Sequence, residues 1–484
     1  MDKITGVTII GDVYLNAGLG IALRGMVDAM KYSNIPLSYY PVHHPYAPRI
    51  KEKEMHSLEQ GLLYPINLSG LNMHEFSQIQ ASEKLKIAAK NKYAIANWVW
   101  ELPAVPEQYH TNFEYFDEIW TPSAFAKAAF ATVTATPITV VPHVIEFQVN
   151  TAYNRKYFQL PENAFIFFFS FDAASSVTRK NPWAVIRAYE EAFPLHEPTR
   201  PILALKVSQL NHHPETRQKL ILEMRRLKGI LIEDTLSRQE MLGLLNSIDC
   251  YVSLHRAEGF GLGLAEAMYL GKPVIGTGYS GNMDFMNNAN SYIADYSLKT
   301  IKSSDFESEQ HLLNIYEPGS LWAEPSVDHA VELMKRVFYD ANDRVKKAQN
   351  AQADIRKKLS LEAISNVISE RLQVIQQLVG AGEFNKQIYR NKEAIIKNAL
   401  LSLEQIQTKQ KDVIEQLEYL QWRQDTFAFS KLPIAGRLIK GIVRLLLSRK
   451  IDVRQRDVDR YTYQEIAGMQ EILSHFIQIH QFDD

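Results

Sequence analysis

The sequence predicts an α/β protein with two doubly wound, parallel-sheet units in tandem and an α-helical extension behind them. Three observations carry this. From the N-terminus to about residue 375, short β-branched or aromatic runs alternate with longer amphipathic segments, the pattern of a parallel sheet covered by helices on both faces. Residues 147–162, polar and without apolar periodicity, interrupt that alternation. After about Gly380 the strand-like runs vanish and long helical patterns take over. The expected units are residues 1–150, 151–378 and 379–484. At 484 residues, 46% hydrophobic and 22% charged, the chain can bury several cores.

In chain order, strands are expected at 7–10, at a run ending near Trp98, and at 119–121, 139–141, 164–169, 202–207, 250–254 and 273–276. Helices are expected at 20–31, 182–193, 215–227, 238–245 and 263–270. In the extension, Ile396, Ala399, Leu403, Ile406, Val413, Leu417, Leu420 and Phe427 fall at alternating three- and four-residue steps, with Gln410 and Gln424 interrupting. This is a seam of about four and a half heptads. Two readings of the 388–427 helix stand: packing on its own protein, or self-association as a coiled coil. In 432–450, a helix would gather Arg437, Lys440, Arg444 and Ser448 on one face, with Leu438, Ile439, Ile442, Val443, Leu446 and Leu447 opposite. A basic amphipathic helix of this kind suits a membrane surface with anionic headgroups; folding onto the core is the alternative.

Lys plus Arg (53) nearly balances Asp plus Glu (55), for a formal charge of −2, which argues against a surface built to bind nucleic acid. A single cysteine, Cys250, excludes an intrachain disulfide or a Cys-rich zinc site and fits a reducing compartment. The first residues lack the apolar stretch of a secretory signal. Residues 128–145, the longest uncharged run, contain Pro137 and Pro142 and read as strand and loop. A cytoplasmic protein without a membrane span is expected. The pairs His43-His44 and His212-His213 have no carboxylate at ligand spacing, so no metal site is expected there.

The chemistry concentrates in residues 253–276. A strand passes through a Gly-rich turn into a helix, which sets backbone N–H groups and a helix N-terminus at the carboxyl edge of a sheet, where anionic ligands bind. Gly259, Gly261 and Gly263 permit close backbone approach. Glu258 and Glu266 lie eight residues apart. Carboxylates repel phosphate, so both are expected to face hydroxyls, with a ribose at one end of a diphosphate-containing ligand and a sugar at the other.

The full frame, E-G-F-G-L-x-x-x-E-A-M-x-x-G-x-P-V-I from Glu258 to Ile275, resembles the E-x7-E signature of the retaining group 1 (family 4) glycosyltransferases, which have the GT-B fold. The resemblance spans residues 1–378 and is clearest over 165–325. It implies two Rossmann-like units facing across a cleft, with the donor on the second and the acceptor on the first. It implies that Glu258 holds the transferred sugar and Glu266 the ribose. The turn Gly259, Phe260, Gly261 and Leu262 would serve the sugar and diphosphate. Arg179 and Lys180 resemble the Arg/Lys pair that clamps the diphosphate, where fixed cations stabilise a departing nucleoside diphosphate; Asn181 stands where the family usually has glycine. Lys206 is a further phosphate ligand or a snorkelling lysine. Asn282 and Asp284 contact sugar hydroxyls or stabilise a turn. Residues 316–325 resemble the structural segment before a helix that returns to the first unit.

In the first unit, Asn16-Ala17-Gly18-Leu19-Gly20 fits the family's glycine loop. As a dinucleotide fingerprint it fails, because Leu23 stands where a third small residue belongs. Gly18 and Gly20 would approach donor phosphate and acceptor. Glu101 and His143 are candidates for the acceptor or the transferred sugar, although Pro142-His143-Val144 departs from the family's Pro-Asn-Gly.

The implied activity is transfer from a nucleotide sugar to an acceptor with retained anomeric configuration, through a front-side, oxocarbenium-like step, with no metal and no cofactor. With a membrane-touching tail, the expected acceptor is a lipid-linked saccharide, as in surface polysaccharide or lipopolysaccharide assembly, on the inner face of the cell membrane. The rivals are a non-catalytic scaffold that recruits partners to the membrane and an epimerase or phosphorylase of the same fold.

Overall fold

The structure, a computed structural model, describes residues 4–15, 17–42, 59–88, 92–197 and 199–380. Asn16, His43-His44, the heptad segment 388–427 and the basic segment 432–450 lie outside the described residues.

The first sheet contains β1 (Val7–Gly11), β2 (Leu37–Pro41), β3 (Glu59–Gln60), β4 (Ile66–Ser69), β5 (Tyr93–Asn97), β6 (Glu118–Thr121) and β7 (Ile138–Val140). They run parallel in the order β3-β2-β1-β4-β5-β6-β7. The second contains β8 (Ile166–Asp172), β9 (Ile202–Ser208), β10 (Ile230–Ile232), β11 (Cys250–Ser253), β12 (Val274–Thr277) and β13 (Tyr292–Ala294), parallel in the order β10-β9-β8-β11-β12-β13. Helices cover both. In the first half they are α1 (Gly18–Tyr32), α2 (Met73–Gln78), α3 (Ala81–Ile87) and α4 (Ala124–Ala131). In the second they are α5 (Val177–Lys180), α6 (Pro182–Ala192), α7 (Pro214–Arg226), α8 (Arg238–Ser247), α9 (Leu262–Tyr269), α10 (Val327–Tyr339), α11 (Ala341–Lys358) and α12 (Leu361–Gly380). Coverage on both faces explains why β1 is buried throughout and why β8 begins with an unbroken apolar run, Ile166 to Phe169. The strand order reverses beside β1 and β8, the switch points at which open α/β sheets bind ligands.

Residues 147–162 hold no helix or strand, and Arg155 pins the segment, donating to the carbonyls of Pro161, Glu162, Ala164 and Ser247 while pairing with Asp249 at 2.6 Å. Helix α12 returns to the first half. Ile364, Ile368, Leu372 and Ile375, at near-helical spacing, are buried, and Ser365 Oγ donates to Ala29 O of α1 at 2.7 Å.

Several elements exceed the sequence reading. β2, β3, β4, β10 and β13 are short, and three of the β2 and β4 residues that interrupt the apolar pattern, Ser38, Asn67 and Ser69, are fully buried. Residues 316–325 do more than precede a helix. They include β15 (Leu321–Pro325), which pairs antiparallel with β14 (Tyr296–Thr300). The segment between these strands buries Ile301, Phe306, Leu312 and Tyr316 in one apolar cluster with Trp98, Trp100, Val105 and Phe113 of the first half. Among the described residues, no helix is long and apolar enough to cross a membrane.

Candidate active site

A cavity of about 1690 Å³ lies between the two sheets. Its walls follow the carboxyl ends of strands in both: Gly18 after β1, Glu101 after β5, His143 after β7, Lys180 after β8, Ser208 at the end of β9 and Glu258 after β11. Both switch points therefore open onto one space.

Glu258 is its electrostatic centre. Oε1 lies 2.6 Å from Lys180 Nζ and 3.6 Å from an Arg179 terminal nitrogen. Burial alone would raise the Glu258 pKa, but Lys180, Arg179 and His255 outweigh it and bring it down to about 2. The group is thus a carboxylate at any neutral pH. It accepts hydrogen bonds or stabilises positive charge, and does not serve as a proton donor.

Arg179 and Lys180 play different parts. Arg179 is 3% exposed, and its guanidinium donates to Ala257 O (2.8 Å), Ser175 O (2.9 Å) and Tyr316 Oη (3.0 Å). Three of its five N–H donors are therefore committed to protein oxygens, and it also lies 3.6 Å from Glu101. Of the expected Arg/Lys pair, Arg179 braces the wall through these contacts, and Lys180 carries the direct ion pair with Glu258. Asn181 follows with φ 54° and ψ 54°, a left-handed conformation that asparagine tolerates, which explains its presence where a glycine is usual. Its Nδ2 donates to Leu254 O at 3.0 Å.

Gly261 caps α9 at φ 95°, a conformation costly for any residue with a Cβ, so the turn beside Glu258 needs glycine there. Gly259, Phe260, Gly261 and Leu262 all line the cavity. Glu266 is buried on α9 and pairs with Arg238 at 2.5 Å, a contact of charges without hydrogen-bond alignment. Lys206 also lines the cavity and hydrogen-bonds Ser208 Oγ; burial lowers its pKa against the pull of Asp172 and Asp234. Lys180, Lys206 and Arg238 are among the cations that line the cavity and suit an anionic ligand. Among the described residues, no three His, Cys, Asp or Glu side chains converge as a metal-binding set.

Two expected site residues are not brought to the cavity. Asn282 is fully buried, donating from Nδ2 to Thr277 O (2.9 Å) with its Oδ1 3.0 Å from His255 Nε2; it ties the loop after β12 to the strand end before Glu258. Gly20 sits inside α1 against the Leu15 carbonyl, where a side chain would collide, whereas Gly18 lines the cavity. Asp284 accepts from Ala124 N at 2.7 Å and so caps α4 across the cleft, beside Ser123 Oγ, which donates to Gly259 O at 2.7 Å. The sequence reading missed Arg238, Glu309 and Tyr316. No local motif marks them, because each meets its partner across 28 or more residues of chain.

Two switch points around one cavity, with a clamped glutamate and a second glutamate eight residues on, suit an activated-sugar site, and comparison with known proteins bears on this. Residues 179–354, from α5 through most of α11, match the model of the glycosyl transferases group 1 family. This segment is similar to the group 1 glycosyltransferases. The match includes Glu258, Glu266, Lys180 and the α9 turn. The whole fold is GT-B. It is similar to Anabaena HepE in complex with UDP and glucose (TM-score 0.54, 15% identity, 76% of this chain and all of that one). It is similar to sucrose-phosphate synthase from Thermosynechococcus elongatus (0.55, 14%, 78% and 100%) and to a glycosyltransferase from Rickettsia africae (0.51, 13%, 78% and 99%). No curated protein matches the chain in sequence.

His143 in the cavity wall gives a pH prediction. It is 6% exposed, its ring lies 4.6 Å from Phe260, and its Nδ1 has no hydrogen-bond partner among the described residues. Burial pushes its pKa down from 6.5 to about 4. The unfolded chain therefore binds this proton first, and the histidine's contribution to stability, complete above pH 6.5, is lost between pH 6.5 and 4. The full loss is about 3 kcal/mol. His143→Gln should flatten the urea-unfolding free energy against pH in that window. An unchanged slope would show that His143 takes up its proton without cost to folding.

Proposed function

We propose that the protein transfers a sugar from a nucleotide-sugar donor to a saccharide acceptor with retention of anomeric configuration. The observation that carries this is the Glu258 carboxylate, held ionised by Lys180 and Arg179 on the floor of a cavity that both switch points share. Glu266, eight residues along the same turn and helix and 2.5 Å from Arg238, is the ribose partner. Lys180 stabilises the charge that builds on the departing diphosphate. Glu258 steadies the sugar as positive charge develops on it. A front-side step, in which the leaving phosphate oxygen takes the acceptor proton, draws its base from the donor itself and fits this reading. Catalysis is then mainly positioning and preorganised charge.

On this reading the acceptor lies against the first-half wall, near Glu101 and His143. The basic, amphipathic sequence of residues 432–450 supports a lipid-linked saccharide in an anionic membrane, as in surface polysaccharide assembly.

The test is product analysis with a panel of nucleotide sugars, offering a lipid-linked saccharide in anionic vesicles and a free oligosaccharide as acceptors. Wild type yields a glycoside whose anomeric configuration, read by NMR, equals the donor's, and it prefers the lipid-linked acceptor. Glu258→Gln stays folded and loses about 10²-fold or more in turnover. An inverted product would overturn retention, preference for the free saccharide would remove the lipid acceptor, and unchanged turnover in Glu258→Gln would remove the assignment of this site.

A further inference from the structure

The short helix α5 that carries Lys180 cannot hold itself in place. It has four residues, too few for stable helix formation. Its flanks, Ser176 at φ 73° and Asn181 at φ 54°, are both non-glycine residues in positive-φ conformations, which persist only where the surroundings over-determine them. The restraint at its N-terminus comes from 130 residues away. Glu309, 1% exposed, accepts from Val177 N at 2.7 Å, Thr178 N at 3.0 Å and Ser176 Oγ at 3.1 Å. Thr178 Oγ1 adds a bond to Asp305 O at 3.1 Å, and Tyr316 Oη takes the Arg179 Nε–H. All three residues lie between β14 and β15, in the segment whose apolar side chains are buried against the first half. Gln108 Nε2 donates to Asn314 O at 2.5 Å on that same contact.

We propose that Glu309 is a positioning residue for sugar transfer, holding α5 through the Val177 and Thr178 amides so that the Lys180 ammonium meets the diphosphate of the donor. The proposal rests on the nucleotide-sugar reading of the site. It makes the 301–320 segment a strap that references the diphosphate cation to both halves of the protein. The Glu309 side chain suits this task because its two oxygens satisfy N–H groups that a helix start leaves without partners. Misplacement of a catalytic group by about 1 Å is enough to cost about 10²-fold.

The experiment is a double-mutant cycle on the full chain, with UDP, GDP and ADP as calorimetric probes. Lys180→Ala and Glu309→Ala should each weaken the nucleoside diphosphate that wild type binds by about 10-fold, whereas Glu309→Ala in the Lys180→Ala background should add less than about 2-fold. Glu309→Gln, which keeps one acceptor oxygen, should fall between wild type and Glu309→Ala. A stoichiometry near one in every variant would show that affinity, and not the folded fraction, has changed. Fully multiplicative effects would overturn the proposal, as would a Glu309→Ala protein with lower stoichiometry and unchanged affinity. If wild type bound none of the three probes, the nucleotide-sugar reading itself would fall, and this proposal with it.

Discussion

On the proposed reaction, Lys180→Ala should lower the turnover of sugar transfer by about 10²–10³-fold, the size expected when one preorganised charge is removed from a developing anion. The donor KM should move much less, because the lost interaction strengthens as the leaving diphosphate gains charge. The variant should stay folded: Glu258 keeps Arg179 at 3.6 Å, and its backbone N–H still donates to Ser280 Oγ at 2.8 Å. Lys180→Arg should not restore the rate, since a planar fork cannot occupy the place of a point charge 2.6 Å from one carboxylate oxygen. Steady-state kinetics over a donor series decides it. Turnover within about threefold of wild type would move the leaving-group role to Lys206 or Arg238.

Arg371→Ala should unfold at markedly lower urea, at a cost of about 3–5 kcal/mol, because it leaves the buried Glu118 carboxylate without its guanidinium partner. Arg371 reaches from α12 with Nε to one oxygen of Glu118 at 2.8 Å and a terminal nitrogen to the other at 2.9 Å. Glu118 is completely buried in β6. Its other donors are Tyr93 Oη (3.0 Å), Trp120 Nε1 (2.9 Å) and Thr139 Oγ1 (2.6 Å), neutral groups that cannot replace a guanidinium. Glu118→Gln should recover part of the loss in the Arg371→Ala background, because a buried amide carries no charge to leave unpaired. If Arg371→Ala cost less than about 1 kcal/mol, water would be reaching the carboxylate and the pair would count as a surface one.

The two halves of the site were not equally legible. The Gly-rich turn with Glu258 and Glu266 could be read because its spacing, turn chemistry and helix start all lie within 20 residues, where local geometry is nearly fixed by residue type. Locality alone does not decide Asn282 or Gly20. Each occupies the right loop or helix start, yet Asn282 faces His255 and Gly20 faces Leu15. Arg179 stands next to Lys180 in the chain, but one cation is surrounded by carbonyls and the other is paired with Glu258. Short strands such as β2 and β4 escaped notice because their buried polar residues break the apolar pattern.

Periodicity and turn residues by themselves determined the alternating strands and helices, the break near residue 150 and the glutamate-bearing turn, because each depends on interactions between near neighbours in the chain. The tertiary structure alone decided which polar side chains face the cavity and which brace its walls. A buried donor or acceptor must find a partner, and for Arg179, Glu266, Glu118 and Lys180's short helix the partners include residues 28 to 253 positions away.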